Sequence, residues 1–342
     1  MELVHLMASM FKTVAEIDLS PLFQTTDHES SVVDSQIAQA LDSDGAFVAT
    51  GLTNSNCLDE KVSNLMRFFD LPLELKMGCA TKSYQPSNPN NYRGYYPLPE
   101  TPDWAYKESF DIGPDPAVTS PDVSGAVSFR EPNVWPREAD LPKWRSEMLD
   151  QLQQLRTLET VLMAAIARGF DLNPETFLIP SQGRNASMRL LARPALPKSF
   201  RPATLNGGDN GQNVPPTLES IEDGRRIITG RHVDENLLSI LWQSSAGGLQ
   251  MEGRDGTWKE VYPRTGTFSV HCGTLLTHLS GNQLVGTPHR VVSDGASRTS
   301  LGHFLEPAFE TNIFGPGSLS PVSYAQYLVD LYPDRFTTPE VT

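Results

Sequence analysis

The sequence is poor in the features that mark several classes of protein. It has three cysteines, Cys57, Cys79 and Cys272, set far apart and without a CxxC pair. That excludes a disulfide framework and favours a reducing, cytoplasmic compartment. Basic residues are in deficit: 27 Lys and Arg stand against 41 Asp and Glu, a formal net charge of −14. No basic stripe is visible, so nucleic acid is not an expected partner. No run approaches the ~18 consecutive apolar residues of a membrane-spanning helix, and no membrane partner is expected. The opening stretch MELVHLMASMFKTVAEIDLS has a short apolar run and no small-residue cleavage pattern, unlike a secretory signal. Internal repeats and low-complexity tracts are missing. Nothing points to an obligate protein partner. What remains is an acidic chain of 342 residues, 39% of them hydrophobic. It is long enough to bury a large core around a small-molecule site.

The first half reads as mixed. A short strand followed by a loop is expected over 15–24, a strand at 45–49, and amphipathic helices at 31–42 and 57–70, the latter stopped by Pro72. Residues 83–103 are rich in Pro, Asn and Tyr and read as loop. Segment 106–113 reads as a strand, and its Lys107, Glu108 and Asp111 as partners in structural ion pairs. The longest helical pattern covers 142–171, where Trp144, Met148, Leu152, Leu155, Leu158, Leu162 and Ile166 recur at helical spacing and Gly169 marks the end. Beyond residue 172 the texture changes to short β-branched and aromatic runs between Gly and Pro turns. Residues 203–224 read as a flexible loop, and a last helix is expected at 321–331. The pattern predicts a mainly β fold with flanking helices. Its parts would be a helical and mixed region over 1–172 that packs on a barrel, a core over 173–313, and a helix with a tail over 314–342.

One constellation carries chemistry. His232-Val233-Asp234 lies in a strand-like run, where residues two apart share a face. His289 follows in another strand-like run, TPHRVV. Two imidazoles and one carboxylate on one side of a metal leave its other positions open, which suits iron(II) that must take up O2 and a co-substrate together. Arg298 and Ser300 follow on one strand face. A guanidinium beside a hydroxyl is a carboxylate clamp, because the guanidinium bonds carboxylates bidentately. His271 and His278 read as packing histidines, and Cys272 as a small buried residue.

HxD, a long gap, His and then RxS resemble the isopenicillin N synthase-like branch of the iron(II)/2-oxoglutarate oxygenases. The resemblance spans nearly the whole chain, including Ile17-Asp18-Leu19-Ser20, Tyr92-Arg93-Gly94-Tyr95, Lys107-Glu108-Ser109-Phe110-Asp111 and Asn133-Val134-Trp135-Pro136. It implies a double-stranded β-helix (jelly-roll) core. It also implies iron(II), 2-oxoglutarate and O2, with ascorbate as a stimulant. Oxidation of a small metabolite, by hydroxylation, desaturation or cyclisation in specialised metabolism, would accompany conversion of the oxoacid to succinate and CO2. Because Asp234 is present, a halide-binding variant of the site is disfavoured.

The chain departs from the family pattern on the strand before HxD. Where Asn-x-Tyr-Pro is usual, it has Leu191-Ala192-Arg193-Pro194, so Arg189 or Arg193 is a candidate for a rebuilt co-substrate clamp. This run, the stretch Gly281–His289 and the ending Tyr332–Thr338 resemble the bacterial ethylene-forming members more than the plant hormone enzymes of the family. Glu235, next to the metal-binding Asp, and Tyr92 and Arg93 are candidate substrate contacts. Two alternatives stay open. In the oxidase members, the RxS pair holds the substrate's own carboxylate and no oxoacid is used. A catalytically idle, metabolite-binding jelly-roll is the other.

Overall fold

In the computed structural model, residues 13–24, 27–99, 106–115, 131–173, 185–195, 223–314 and 320–331 are described. The loop expected at 203–224 lies outside them except for its last two positions, and the Tyr332–Thr338 ending lies outside them altogether. In chain order the first half forms β1 (Ala15–Asp18), α1 (Asp27–Ser43), β2 (Ala46–Thr50), α2 (Leu58–Leu65), α3 (Leu73–Met77), β3 (Gly94–Tyr96), β4 (Glu108–Ile112) and α4 (Trp144–Gly169). The second half forms β5 (Ser187–Arg193), β6 (Arg226–His232), β7 (Leu238–Gln243), β8 (Leu249–Glu252), β9 (Trp258–Glu260), β10 (Phe268–Cys272), α5 (Thr274–Leu279), β11 (His289–Ser293), β12 (Arg298–Leu305) and α6 (Tyr324–Leu331).

Among the described residues the strands make two sheets. The larger has the order β1-β2-β10-β7-β12-β5-β4-β3, and the smaller β6-β11-β8-β9. Both edges of the larger sheet come from the first half of the chain. Those strands therefore extend the sheet that carries the second half's motifs, besides the helices that pack on it.

Period-two alternation gives the larger sheet two unlike faces. One face carries Phe110, Ile112, Met188, Leu190, Ile240 and Leu301, all buried. They share one apolar cluster with the inward stripe of α4, namely Trp144, Met148, Leu152 and Leu155. Burying each such side chain contributes about 1.5–3 kcal/mol. The Trp144 indole N–H donates to the Leu65 carbonyl at 2.8 Å, so its polar atom is satisfied. His303, on the same face, meets Glu159 of α4 at 2.5 Å. The far end of α4 rests on α1 through the bidentate Arg168–Asp34 pair, at 2.7 and 2.8 Å.

Two local differences from the sequence reading have clear causes. The helix expected over 57–70 is α-helical only to Leu65 and continues as a 3-10 segment, Met66–Asp70. The tighter turn carries Phe68 into an aromatic cluster with Phe110 at 4.5 Å and Trp144 at 5.1 Å. The Pro- and Asn-rich stretch expected as loop contains β3, which pairs with β4. Gly94 lets the segment at Cys79 pack against β3 as well: its φ is +112°, a Cβ there would sit 2.3 Å from the Cys79 carbonyl oxygen, and that carbonyl accepts from the Tyr95 N–H at 2.9 Å.

Candidate active site

The three HxD…H residues converge where β6 ends and β11 begins. The two strands pair antiparallel with His232 opposite His289, which brings the imidazole centroids to 4.1 Å. Asp234 is not on the strand, as its pattern predicted. β6 stops at His232, and Asp234 sits in the following connection, fixed by a bond from the Thr274 backbone N–H to its carbonyl at 2.8 Å. The loop still turns the carboxylate back onto the two rings.

The hydrogen bonds then aim each donor atom. His232 Nδ1 lies 2.9 Å from the Gly230 carbonyl and His289 Nδ1 3.2 Å from the Thr287 carbonyl. A carbonyl only accepts, so each Nδ1 carries the proton and each Nε2 keeps its lone pair. These Nε2 atoms are 3.6 and 3.7 Å from Asp234 Oδ1. One ligand atom from each residue falls within 4.8 Å of the others, a spacing that fits a single ion. Burial, aided for His232 by the neighbouring His289, pushes both imidazoles down to about 4, so they are neutral donors at ordinary pH. Burial alone would raise the Asp234 carboxyl. His289, the His271 hydrogen bond and His232 outweigh it and hold the group well below the usual carboxylate range.

The other Asp234 oxygen is occupied. Oδ2 accepts from Ser239 Oγ at 2.6 Å and from His271 Nε2 at 3.1 Å. Ser239 Oγ accepts in turn from Asn236 Nδ2 at 2.9 Å. His271, expected only as a packing histidine, therefore orients the carboxylate and leaves Oδ1 turned toward the rings. His278 does not share this role; it packs on Phe314, with ring centroids 5.2 Å apart.

A cavity of about 150 Å³ opens beside the three residues, between the two sheets. Arg298 and Ser300 line it from β12. The guanidinium donates to the Gly247 carbonyl at 2.8 Å, to Ser300 Oγ at 2.9 Å and to Gln243 Oε1 at 3.3 Å. All three acceptors are neutral. Burial and the nearby Arg193 lower the Arg298 guanidinium to about 10. A half-buried cation braced in this way fits a carboxylate from a ligand.

Of the two further arginines, Arg189 is committed to a bidentate pair with Asp111, at 2.8 and 2.5 Å. Arg193 donates to the Ile228 carbonyl at 3.0 Å and to Thr229 Oγ1 at 2.8 Å, opposite Arg298 in the strand register. Both line the cavity. Glu235, Tyr92 and Arg93 do not. Glu235 accepts from the Tyr327 hydroxyl of α6 at 2.7 Å. The backbone N–H groups of Tyr92 and Arg93 bond to Glu131. Of the ion pairs expected in β4, Glu108 meets Lys76 at 2.8 Å and Asp111 meets Arg189. Lys107 departs from that expectation: it lines the cavity and makes no hydrogen bond or ion pair among the described residues.

Comparison with known proteins agrees with this geometry. Residues 212–307 match the model of the 2OG-Fe(II) oxygenase superfamily. Residues 14–138 match that described as non-haem dioxygenase in morphine synthesis N-terminal. The isopenicillin N synthase of Streptomyces clavuligerus is 30% identical over 329 residues, covering 92% of this chain and 93% of that protein. A 2-oxoglutarate-Fe(II) type oxidoreductase of Metarhizium majus is 28% identical over 300 residues, covering 84% and 76%. Among solved structures, a full-length Neurospora crassa protein in complex with alpha-KG superposes with a TM-score of 0.71 at 23% identity, over 92% of this chain and 94% of that one. The chain belongs to the 2OG-Fe(II) oxygenase superfamily, in its isopenicillin N synthase-like branch, with the mainly β, jelly-roll architecture that the motifs implied. It is an oxidoreductase.

Proposed function

We propose that His232 Nε2, Asp234 Oδ1 and His289 Nε2 hold one iron(II), and that Arg298 with Ser300 receives the far carboxylate of 2-oxoglutarate. The observation that carries this reading is the convergence of three donor atoms within 4.8 Å beside a half-buried guanidinium whose hydrogen bonds among the described residues go to neutral acceptors. When bound, iron(II) supplies O2 activation coupled to oxidation of the oxoacid to succinate and CO2.

The chain's own contribution is positional. His271 and Ser239 load one oxygen of Asp234 and leave the other for the metal. The Gly230 and Thr287 carbonyls fix the tautomer of the two imidazoles. Three protein donors leave the remaining positions open for O2 and a chelating oxoacid. Leu241, Trp242, Leu249 and Val291 line the cavity and limit water near them. In this reading 173–313 is the catalytic core. The 1–172 region completes its sheet and covers one face, and 314–342 closes the chain with α6. The substrate is a small metabolite, in keeping with specialised metabolism. Three free thiols suit a reducing, cytoplasmic setting. No helix among the described residues is long and apolar enough to cross a membrane.

A second reading rests on one observation, the 30% identity to an isopenicillin N synthase. In an oxidase of that kind the Arg298–Ser300 pair would hold the substrate's own carboxylate. Succinate release across a metabolite panel separates the two. Stoichiometric succinate with O2 uptake supports the oxoacid reading, and O2 uptake without succinate supports the oxidase.

A further inference from the structure

Asp234 is carried by a connection rather than by a strand, and that connection is braced from two sides. β6 ends at His232 and β7 begins at Leu238. The residues between them cross from the smaller sheet to the larger one. On one side lies the start of α5. The first N–H groups of a helix find no partner within it. Here the N–H groups of Gly273, Thr274 and Leu275 donate to the carbonyls of Leu237, Asp234 and Asn236, at 3.0, 2.8 and 3.1 Å. Backbone lies against backbone at this point: a Cβ on Gly273 would sit 2.0 Å from the Asn236 carbonyl oxygen.

On the other side lies α6. Its Tyr324 and Tyr327, at i and i+3, share one helix face. The Tyr324 hydroxyl donates to Glu306, just beyond β12. The Tyr327 hydroxyl donates to Glu235 Oε2 at 2.7 Å. The helix is itself anchored. The Tyr324 and Ala325 N–H groups donate to the Thr311 and Phe309 carbonyls at 2.8 and 3.0 Å, and Tyr324, Ala325 and Leu328 are buried. Glu235 adjoins Asp234, so a bond that holds its carboxylate also restrains the backbone that carries Asp234. A metal ligand needs its donor atom held to within about 0.5 Å, and a loop achieves this only with support. Tyr327 does not line the cavity. Its route to the metal site runs through Glu235.

We propose that Tyr327 is a positioning residue for the metal centre: through Glu235 it couples α6 to Asp234, so that docking of the helix and binding of the metal support each other. This rests on the reading of Asp234 as a metal ligand. Coupling between two sites is reciprocal. If α6 holds Asp234 in place for the ion, the bound ion holds α6 in place by the same factor. The C-terminal helix then belongs to the metal site without supplying a ligand atom.

The test is the zinc(II) affinity of the full chain, read by competition with a chelator, together with hydrogen exchange of the α6 amides in the metal-free and zinc(II)-loaded protein. Tyr327→Phe changes no charge and should weaken zinc(II) binding by about three- to tenfold. In a Glu235→Leu background the same change should shift affinity by less than about twofold, because its partner is already gone. Tyr324→Phe removes the neighbouring hydroxyl, leaves the Glu235 contact, and should stay within about twofold of the parent. Zinc(II) should slow exchange over residues 325–331 by about three- to tenfold in the parent and leave it unchanged in Tyr327→Phe. The inference is overturned if Tyr327→Phe binds zinc(II) like the parent, or if its effect is undiminished in the Glu235→Leu background. It is equally overturned if Tyr324→Phe weakens the metal as much, because the helix then acts through its packing alone, or if zinc(II) leaves exchange in α6 unaltered. Asp234→Ala separates this from the metal reading. Zinc(II) affinity undiminished in Asp234→Ala would sink that reading and this inference with it, whereas a loss in Asp234→Ala without one in Tyr327→Phe sinks the coupling alone.

Discussion

The two faces of the larger sheet are built from the same strands and do opposite work. Along β5, Met188 and Leu190 point under α4, whereas Arg189, Leu191 and Arg193 line the cavity. Along β12, Leu301 joins the apolar cluster, and Arg298 and Ser300 line the cavity. A polar group on the helix-facing side, His303, has Glu159 as its partner. A cation on the cavity side, Lys107, has none within the described protein. The helix-facing side therefore carries stability, and the cavity side holds charge in readiness for ligands at some cost in stability.

Substitutions on the two sides should separate cleanly. The largest effect is expected from His232→Ala, which removes one of three metal donors. Iron(II) retention after desalting should be lost, and undiminished affinity would remove His232 from the ligand set. Next, Phe110→Ala opens a cavity beneath Trp144 and should cost about 3–5 kcal/mol in urea unfolding, with metal affinity nearly unchanged once folded. If it impaired metal binding more than stability, the division between faces would fail. Arg298→Gln should do the reverse. It should raise the dissociation constant for 2-oxoglutarate by about 10–100-fold, while unfolding moves by less than about 1 kcal/mol. His271→Phe leaves Asp234 Oδ2 with Ser239 alone and should weaken metal binding by about tenfold. An unchanged metal affinity would return His271 to a packing role.

The smallest effect concerns pH. Burial lowers His232 and His289 to about 4, so protons compete with the metal only as pH falls toward that value. Zinc(II) affinity should change less than about twofold between pH 8 and pH 6. A pair of exposed histidines titrating near 6.5 would lose about tenfold or more over that interval. A loss of that size would mean that the rings are not held neutral by the fold.

Much of this site can be read in the sequence, and the gaps have physical causes. His232, Asp234, His289, Arg298 and Ser300 stand out because their residue types and spacing are unusual together, and the fold brings all five to one cavity. Asp234 shows the limit of strand periodicity, since it meets the imidazoles from a loop. Ser239 and His271 carry no local signal, because their role depends on β7 and β10 passing behind Asp234. The segment Lys107-Glu108-Ser109-Phe110-Asp111 reads as a set of ion pairs because charges of both signs stand close in sequence. Alternation sends Lys107 and Glu108 to opposite faces, so Glu108 finds Lys76 and Lys107 finds the cavity. β3 hides in a Pro- and Asn-rich stretch because it is only three residues long and is held by its pairing with β4 rather than by a pattern of its own.

The central claim is that three protein donors hold an iron(II) whose open positions take a chelating oxoacid steadied by Arg298. Its most direct test is the visible absorption of the iron(II)-loaded protein on anaerobic titration with 2-oxoglutarate. A weak charge-transfer band that saturates in the parent, is lost in His232→Ala and needs more oxoacid in Arg298→Gln is the predicted result. No band at any oxoacid concentration, with iron(II) demonstrably bound, would contradict it.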